Sequence, residues 1–246
     1  MRAKPTETSI HLGKNPFARY QEYLGEFVYG GIDGCVTTFA VVAGAAGANL
    51  GSDVILILGF ANLFADGFAM SVGSYLSAKA QRENYEKHKR REYWEIENYR
   101  DREIEEIREI YKAKGFEGEL LEKAIEVITA DKDRWVDVMM KEELKMLEDG
   151  KPPLRSGLMT FFSFIIVGFI PITVYVADYA FDLALKNAFV WSGIFTAIGF
   201  ISIGYMKSIV NTTSRKKGIL ETLILGTVAA LVAYFLGDFL EGVIAR

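Results

Sequence analysis

Two apolar stretches, a charged block and three further apolar stretches follow one another along the chain. The first stretch runs from Phe27 to Asn49 and the second from about Val54 to Leu76, parted by a short Gly51-Ser52-Asp53 turn. Beyond the charged block come about Leu158–Ala177, Ala188–Met206 and Gly218–Val243. Each is close to the ~20 mostly apolar residues that a bilayer-spanning helix needs. The pattern predicts an all-α membrane protein with five transmembrane helices and a helical domain inserted between spans 2 and 3. The expected divisions are 1–26 (N-terminal segment), 27–78 (spans 1 and 2), 79–155 (inserted domain) and 156–246 (spans 3 to 5).

Inside the block, Gln81 to Ala113 reads as helix continuing out of span 2, with a break near Asn98–Asp101. At about 100° per residue, Glu92, Glu95, Glu103 and Glu106 share one narrow face, while Glu97 and Glu105 point elsewhere. Carboxylates at i, i+3 repel unless a cation lies between them. An unbroken helix would spread the four over roughly 20 Å, and a bend would let the two pairs face each other. After Lys114-Gly115, one helix is expected from about Glu119 to Ile128 and another from Asp131 to Leu147. Val136, Met139, Met140, Glu143 and Leu147 form the apolar stripe of the last helix, at i, i+3, i+4, i+7 and i+11. An acid within that stripe needs a partner. The neighbouring sulfurs of Met139 and Met140 would help complete a site for a transition metal. Glu97, Glu105 and Glu109 read as a solvated face, and His11 and His88 as surface residues.

Charge changes the picture in the membrane too. From Phe27 to Asn49 the ionisable groups are Tyr29, Asp33 and Cys35. An acid inside a spanning helix costs roughly 2.5–3.5 kcal/mol and usually marks an ion or proton path. The turn after span 1 lacks Lys and Arg, and the turn after span 3 has only Lys186, whereas the charged block is rich in both. Positive charge stays inside, so the N-terminus and the inserted domain are expected in the cytoplasm and the C-terminus outside. Asp33 and Met70 then both lie about six residues in from the cytoplasmic face, roughly 9 Å deep. A carboxylate with a thioether favours softer metals over Mg²⁺ or Ca²⁺. Asp66, one turn deeper than Met70, could relay metal or proton. Gly30-x-x-x-Gly34 suits close helix approach, and Pro171 suits a kink in span 3.

The remaining composition mainly excludes. Of 246 residues half are hydrophobic, and the net charge is −4, which disfavours nucleic acid as a partner. One cysteine allows no internal disulfide. Residues 1–26 show no short apolar core with a small-residue cleavage site, so the first span is expected to act as its own insertion signal.

Taken in order, several segments resemble the vacuolar iron transporter family. They are Asp33-Gly34, Ala65-Asp66-Gly67-Phe68-Ala69-Met70, Tyr75-Leu76-Ser77, Arg91-Glu92-x-x-Glu95, Trp135-Val136-Asp137-x-Met139-Met140-x-x-Glu143 and Gly204-Tyr205-Met206-Lys207-Ser208. The similarity runs over nearly all of the chain from Glu26 onward. It implies five membrane helices per subunit, a homodimer and a cytoplasmic helical metal-binding domain. It also implies export of ferrous iron from the cytosol against inward protons, in a cell membrane or a vacuole-type membrane. By matching position, Asp33 and Met70 would be the intramembrane ligands. Glu92, Glu95, Glu103, Glu106, Met139, Met140 and Glu143 would line the cytoplasmic site. Ser74 departs from the family, many members having an acid there, and the glutamate pairs here lack an intervening proline.

The expected function is a secondary transporter exchanging a divalent metal for protons, with no prosthetic group. Fe²⁺, Mn²⁺, Co²⁺ or Zn²⁺ would be substrate and bound ion, since carboxylate with thioether admits several. Protons and the lipid bilayer complete the partners. A membrane-attached ferritin-like protein that oxidises or stores iron is the alternative, but the Glu-x-x-His pattern of di-iron helices is absent. A metal sensor without transport would leave Asp33 and Met70 unexplained.

Overall fold

The computed structural model describes residues 23–211 and 213–244. Among them every regular element is helical. In chain order these are α1 (Leu24–Gly47), α2 (Ser52–Asn98), α3 (Arg100–Ala113), α4 (Gly118–Thr129), α5 (Lys132–Val138), α6 (Pro153–Gly168), α7 (Thr173–Phe181), α8 (Ala188–Val210) and α9 (Arg215–Ile244). A π turn, Met139–Glu143, follows α5, and a 3₁₀ turn, Ile170–Ile172, joins α6 to α7. Five segments are long and apolar enough to cross a membrane: α1, α2, Pro153–Phe181, α8 and α9. The described residues fall into two compact units, one running up to Tyr75 and resuming at Pro152, the other Leu76–Lys151.

In the first unit, small residues decide how closely the helices meet. A Cβ on Gly34 would lie 2.5 Å from the Phe164 carbonyl oxygen, and one on Gly30 would lie 2.7 Å from that of Thr160. The small-x-x-x-small stripe of α1 is therefore the surface on which α6 rests. Phe164, fully buried, forms a cluster with Val42, Leu63, Ile172 and Tyr175. Pro171 sits in the 3₁₀ turn that splits the third span, and the Ser192 hydroxyl of α8 donates to its carbonyl at 2.5 Å. That carbonyl is thus held by a neighbouring helix. Large apolar side chains such as Phe64, Phe68, Val190, Phe235 and Phe239 point outward. With no water to hide from, apolar side chains facing lipid are stable, and only helices or closed barrels satisfy their backbones there. The chain is an integral membrane protein.

The second unit has its own core of Ile96, Ile107, Leu121, Ile125, Ile128, Trp135, Val136, Met139 and Met140. On α4 the buried Leu121, Ile125 and Ile128 recur at i, i+4, i+7, one helical stripe. Polar ties fix the helices at its rim: Arg108 Nη2 lies 3.1 Å from Glu122 Oε2, and Tyr93 donates to Asp133 Oδ1 at 2.7 Å. The expected break falls at Tyr99, whose ψ of 40° lies outside the helical range. The expected last helix is corrected. Asp131 caps α5 by accepting from the Arg134 amide, but the α-helix stops at Val138. The amides of Leu144 and Met146 reach back to the Met139 and Met140 carbonyls, and Lys145 has φ 55°. Leu147 therefore leaves the stripe and is 74% exposed.

Candidate metal path and carboxylate cavity

Within the membrane unit, Asp33 on α1 and Asp66 on α2 each precede a glycine, and both glycines pack on Phe164. A Cβ on Gly67 would lie 3.1 Å from the Phe164 ring, while Gly34 meets that residue's backbone. Both aspartates are half-buried beside this shared seat. Met70, one turn from Asp66, packs partly buried against the Phe164 cluster.

In the second unit, Glu92, Glu95, Glu103, Glu106 and Glu143 line one cavity of about 160 Å³. The helix breaks at Tyr99, and the glutamate pairs on its two sides line the same cavity. Glu92 and Glu103 are 3% and 2% exposed, and one oxygen of each has no hydrogen-bond partner. Burial first, then the charges of Glu143, Glu95, Glu103 and Glu106, push Glu92 up to about 7. Glu103 is likewise pushed up to about 7, by burial and then by Glu106, Glu95 and Glu143. Glu143 is raised as well, again first by burial, although it is the more open residue. The π turn explains its position: the wider turn carries Glu143 off the stripe of Met139 and Met140 and onto the cavity wall. Those two methionines are fully buried in the core cluster and are not among the cavity's lining residues.

Four lining residues are not among the expected site residues: His88, Arg91, Arg102 and Leu144. His88 is half-buried in the wall, which corrects its assignment to the surface; its place one turn before Glu92 was the available signal. His11 lies outside the described residues. Arg91 Nε is 3.0 Å from Glu95 Oε1, and Arg102 Nε is 3.0 Å from Glu106 Oε1. Among the described residues no three Asp, Glu, His or Cys side chains converge as a ready ligand set. Outside the cavity, Glu97 pairs with Lys132 and Glu105 with Arg108, the solvated face expected of them.

Comparison with known proteins decides the family, since the model of the VIT family matches residues 24–238. The chain belongs to the VIT family. It is 32% identical over 229 residues to the vacuolar iron transporter of Toxoplasma gondii, covering 91% of this chain and 76% of that protein. To the vacuolar iron transporter of Plasmodium falciparum it is 32% identical over 232 residues, 92% of this chain and 85% of the relative. Vacuolar iron transporter 1 of Eucalyptus grandis is 30% identical over 214 residues, 87% of this chain and 84% of the relative. This VIT-family chain thus carries two acidic constellations, one in each unit.

Proposed function

We propose that this VIT-family protein is a secondary transporter that moves a divalent transition metal, Fe²⁺ foremost, out of the cytosol in exchange for protons. The observation that carries the reading is the cavity of five glutamates, two of them buried with unpartnered oxygens. Buried carboxylates without partners are costly, and a divalent cation relieves that cost. Hard oxygen donors accept Fe²⁺ and Mn²⁺ readily, and iron is preferred because the relatives named above are iron transporters. In the membrane unit, Asp33, with Asp66 and Met70 nearby on α2, is the transfer site. A metal ligand must be deprotonated, so Asp33 holds either metal or proton, and alternation between the two couples the flows. The same reading puts the N-terminus and residues 79–155 in the cytoplasm, the protein in a cell or vacuole-type membrane, and two subunits in the working assembly. Met139 and Met140, buried in the core of the second unit, do not line the cavity in this geometry.

Purified protein in sealed vesicles tests this. An imposed pH gradient should drive Fe²⁺ uptake, and Fe²⁺ added without a gradient should move protons the opposite way. Metal flux indifferent to the gradient would remove the exchange mechanism.

A further inference from the structure

Two of the five cavity carboxylates already face a cation, and that cation belongs to the protein. Arg91 with Glu95 and Arg102 with Glu106 repeat one arrangement: the same i,i+4 spacing, the same atoms and the same 3.0 Å separation. One pair is on α2 and the other on α3, one on each side of the break at Tyr99. Both arginines also line the cavity. The glutamates they hold are mostly covered, at 19% and 25% side-chain exposure, whereas the arginines are 67% and 74% exposed. Each arginine therefore reaches from solvent to the rim. One carboxylate oxygen each of the buried Glu92 and Glu103 has no hydrogen-bond partner among the described residues.

We infer that Arg91 and Arg102 are exchangeable counter-cations that compete with the metal for Glu95 and Glu106 and set how tightly the cavity holds it. This rests on the metal-binding reading of the cavity and adds the control of its affinity. Glu95 and Glu106 are turned toward the guanidiniums, and among the described residues no three carboxylates converge. Gathering the five around one divalent ion requires the guanidiniums to withdraw. Their exposure makes that easy, because solvent receives the released guanidinium and exposed ion pairs hold only weakly. The helix adds little hold, since Arg N-terminal to Glu is the poorer orientation of an i,i+4 pair. A transporter needs such a device. Five carboxylates unopposed would bind the ion too firmly to pass it on, and two returning arginines displace it.

The test is Co²⁺ titration by calorimetry of the full-length protein in detergent, comparing wild type with Arg91→Gln/Arg102→Gln and with Arg91→Lys/Arg102→Lys. The Gln pair should bind Co²⁺ more tightly, by on the order of tenfold, as expected from losing two exposed pairs. Slower Co²⁺ release to a chelator should accompany it. The Lys pair, which keeps the charge, should stay nearer to wild type. A damaged fold would weaken binding, so tighter binding is not an outcome a structural role can produce. Unchanged or weaker binding in the Gln pair overturns the inference, as does equal tightening in the Lys pair. A Glu92→Gln/Glu103→Gln variant separates this from failure of the site itself. If wild type binds Co²⁺ and that variant does not, the cavity stands whatever the arginines do.

Discussion

Asp33 is the residue on which transport should depend most sharply. Asp33→Asn keeps the size and most hydrogen-bonding capacity of the side chain but removes the charge that alternates between metal and proton. Flux in vesicles should vanish while the protein stays folded and keeps its assembly state by size-exclusion chromatography. Full flux from the Asn variant would sink the idea. In the second unit, Glu92 and Glu103, each pushed up to about 7 by burial and by neighbouring glutamates, make a prediction about pH. Their folded-state values lie above the ordinary carboxylate value of about 4.3. The folded protein therefore binds these protons more tightly than the unfolded chain. The resulting stabilisation is complete below about pH 4.3 and is lost as pH rises through about 7. Chelator-treated protein should accordingly melt at lower temperature at pH 8 than at pH 5.5, and Glu92→Gln/Glu103→Gln should flatten that slope. Added metal, which needs the charged carboxylates, should raise melting temperature most at the higher pH.

At the scale of elements, close helix contact rather than apolar burial alone fixes the membrane unit. Gly34→Ala puts a methyl group 2.5 Å from the Phe164 carbonyl oxygen, against backbone that cannot yield cheaply. The expected loss is about 1–3 kcal/mol, the usual cost of overpacking, read as a lower melting temperature in detergent; an unchanged melting temperature would mean that α1 and α6 are not held so closely. This contact could be anticipated because Gly30 and Gly34 stand at i, i+4 in an apolar run. The five spans were equally legible, their length and polarity being set by the bilayer. Meeting of the glutamate pairs was legible from helical spacing together with a break at Asn98–Asp101. The π turn was not. Nothing local distinguishes Met139–Glu143 from α-helix, so α-helical spacing runs the stripe on through Glu143 to Leu147, whereas the π turn brings Glu143 to the cavity and leaves Leu147 exposed. The two arginines were hidden for another reason. An Arg and a Glu at i,i+4 on a charged helix ordinarily form a surface pair, and only the fold puts those pairs at the mouth of a cavity.

Across the whole molecule, the two acidic constellations lie in separately packed units and should be separable by mutation. Asp33→Asn should leave metal binding by the five-glutamate cavity intact, because that cavity is built from α2, α3 and the π turn of the second unit. Glu95→Ala with Glu143→Ala should remove most of it. One substitution frees Arg91 and deletes a rim carboxylate; the other deletes the carboxylate that the π turn delivers. Charge and ligands are lost together, so affinity should fall rather than capacity alone. Transport in the double variant should then decline chiefly at low metal concentration, where loading of the cavity limits the rate, and recover at high concentration through Asp33. Full-length protein in detergent, titrated calorimetrically with Co²⁺ and assayed in parallel for flux, supplies both readings. A double variant that binds as much metal as wild type would reduce these carboxylates to a solvated face. One that binds none yet transports normally at every concentration would separate the cavity from the transport path altogether.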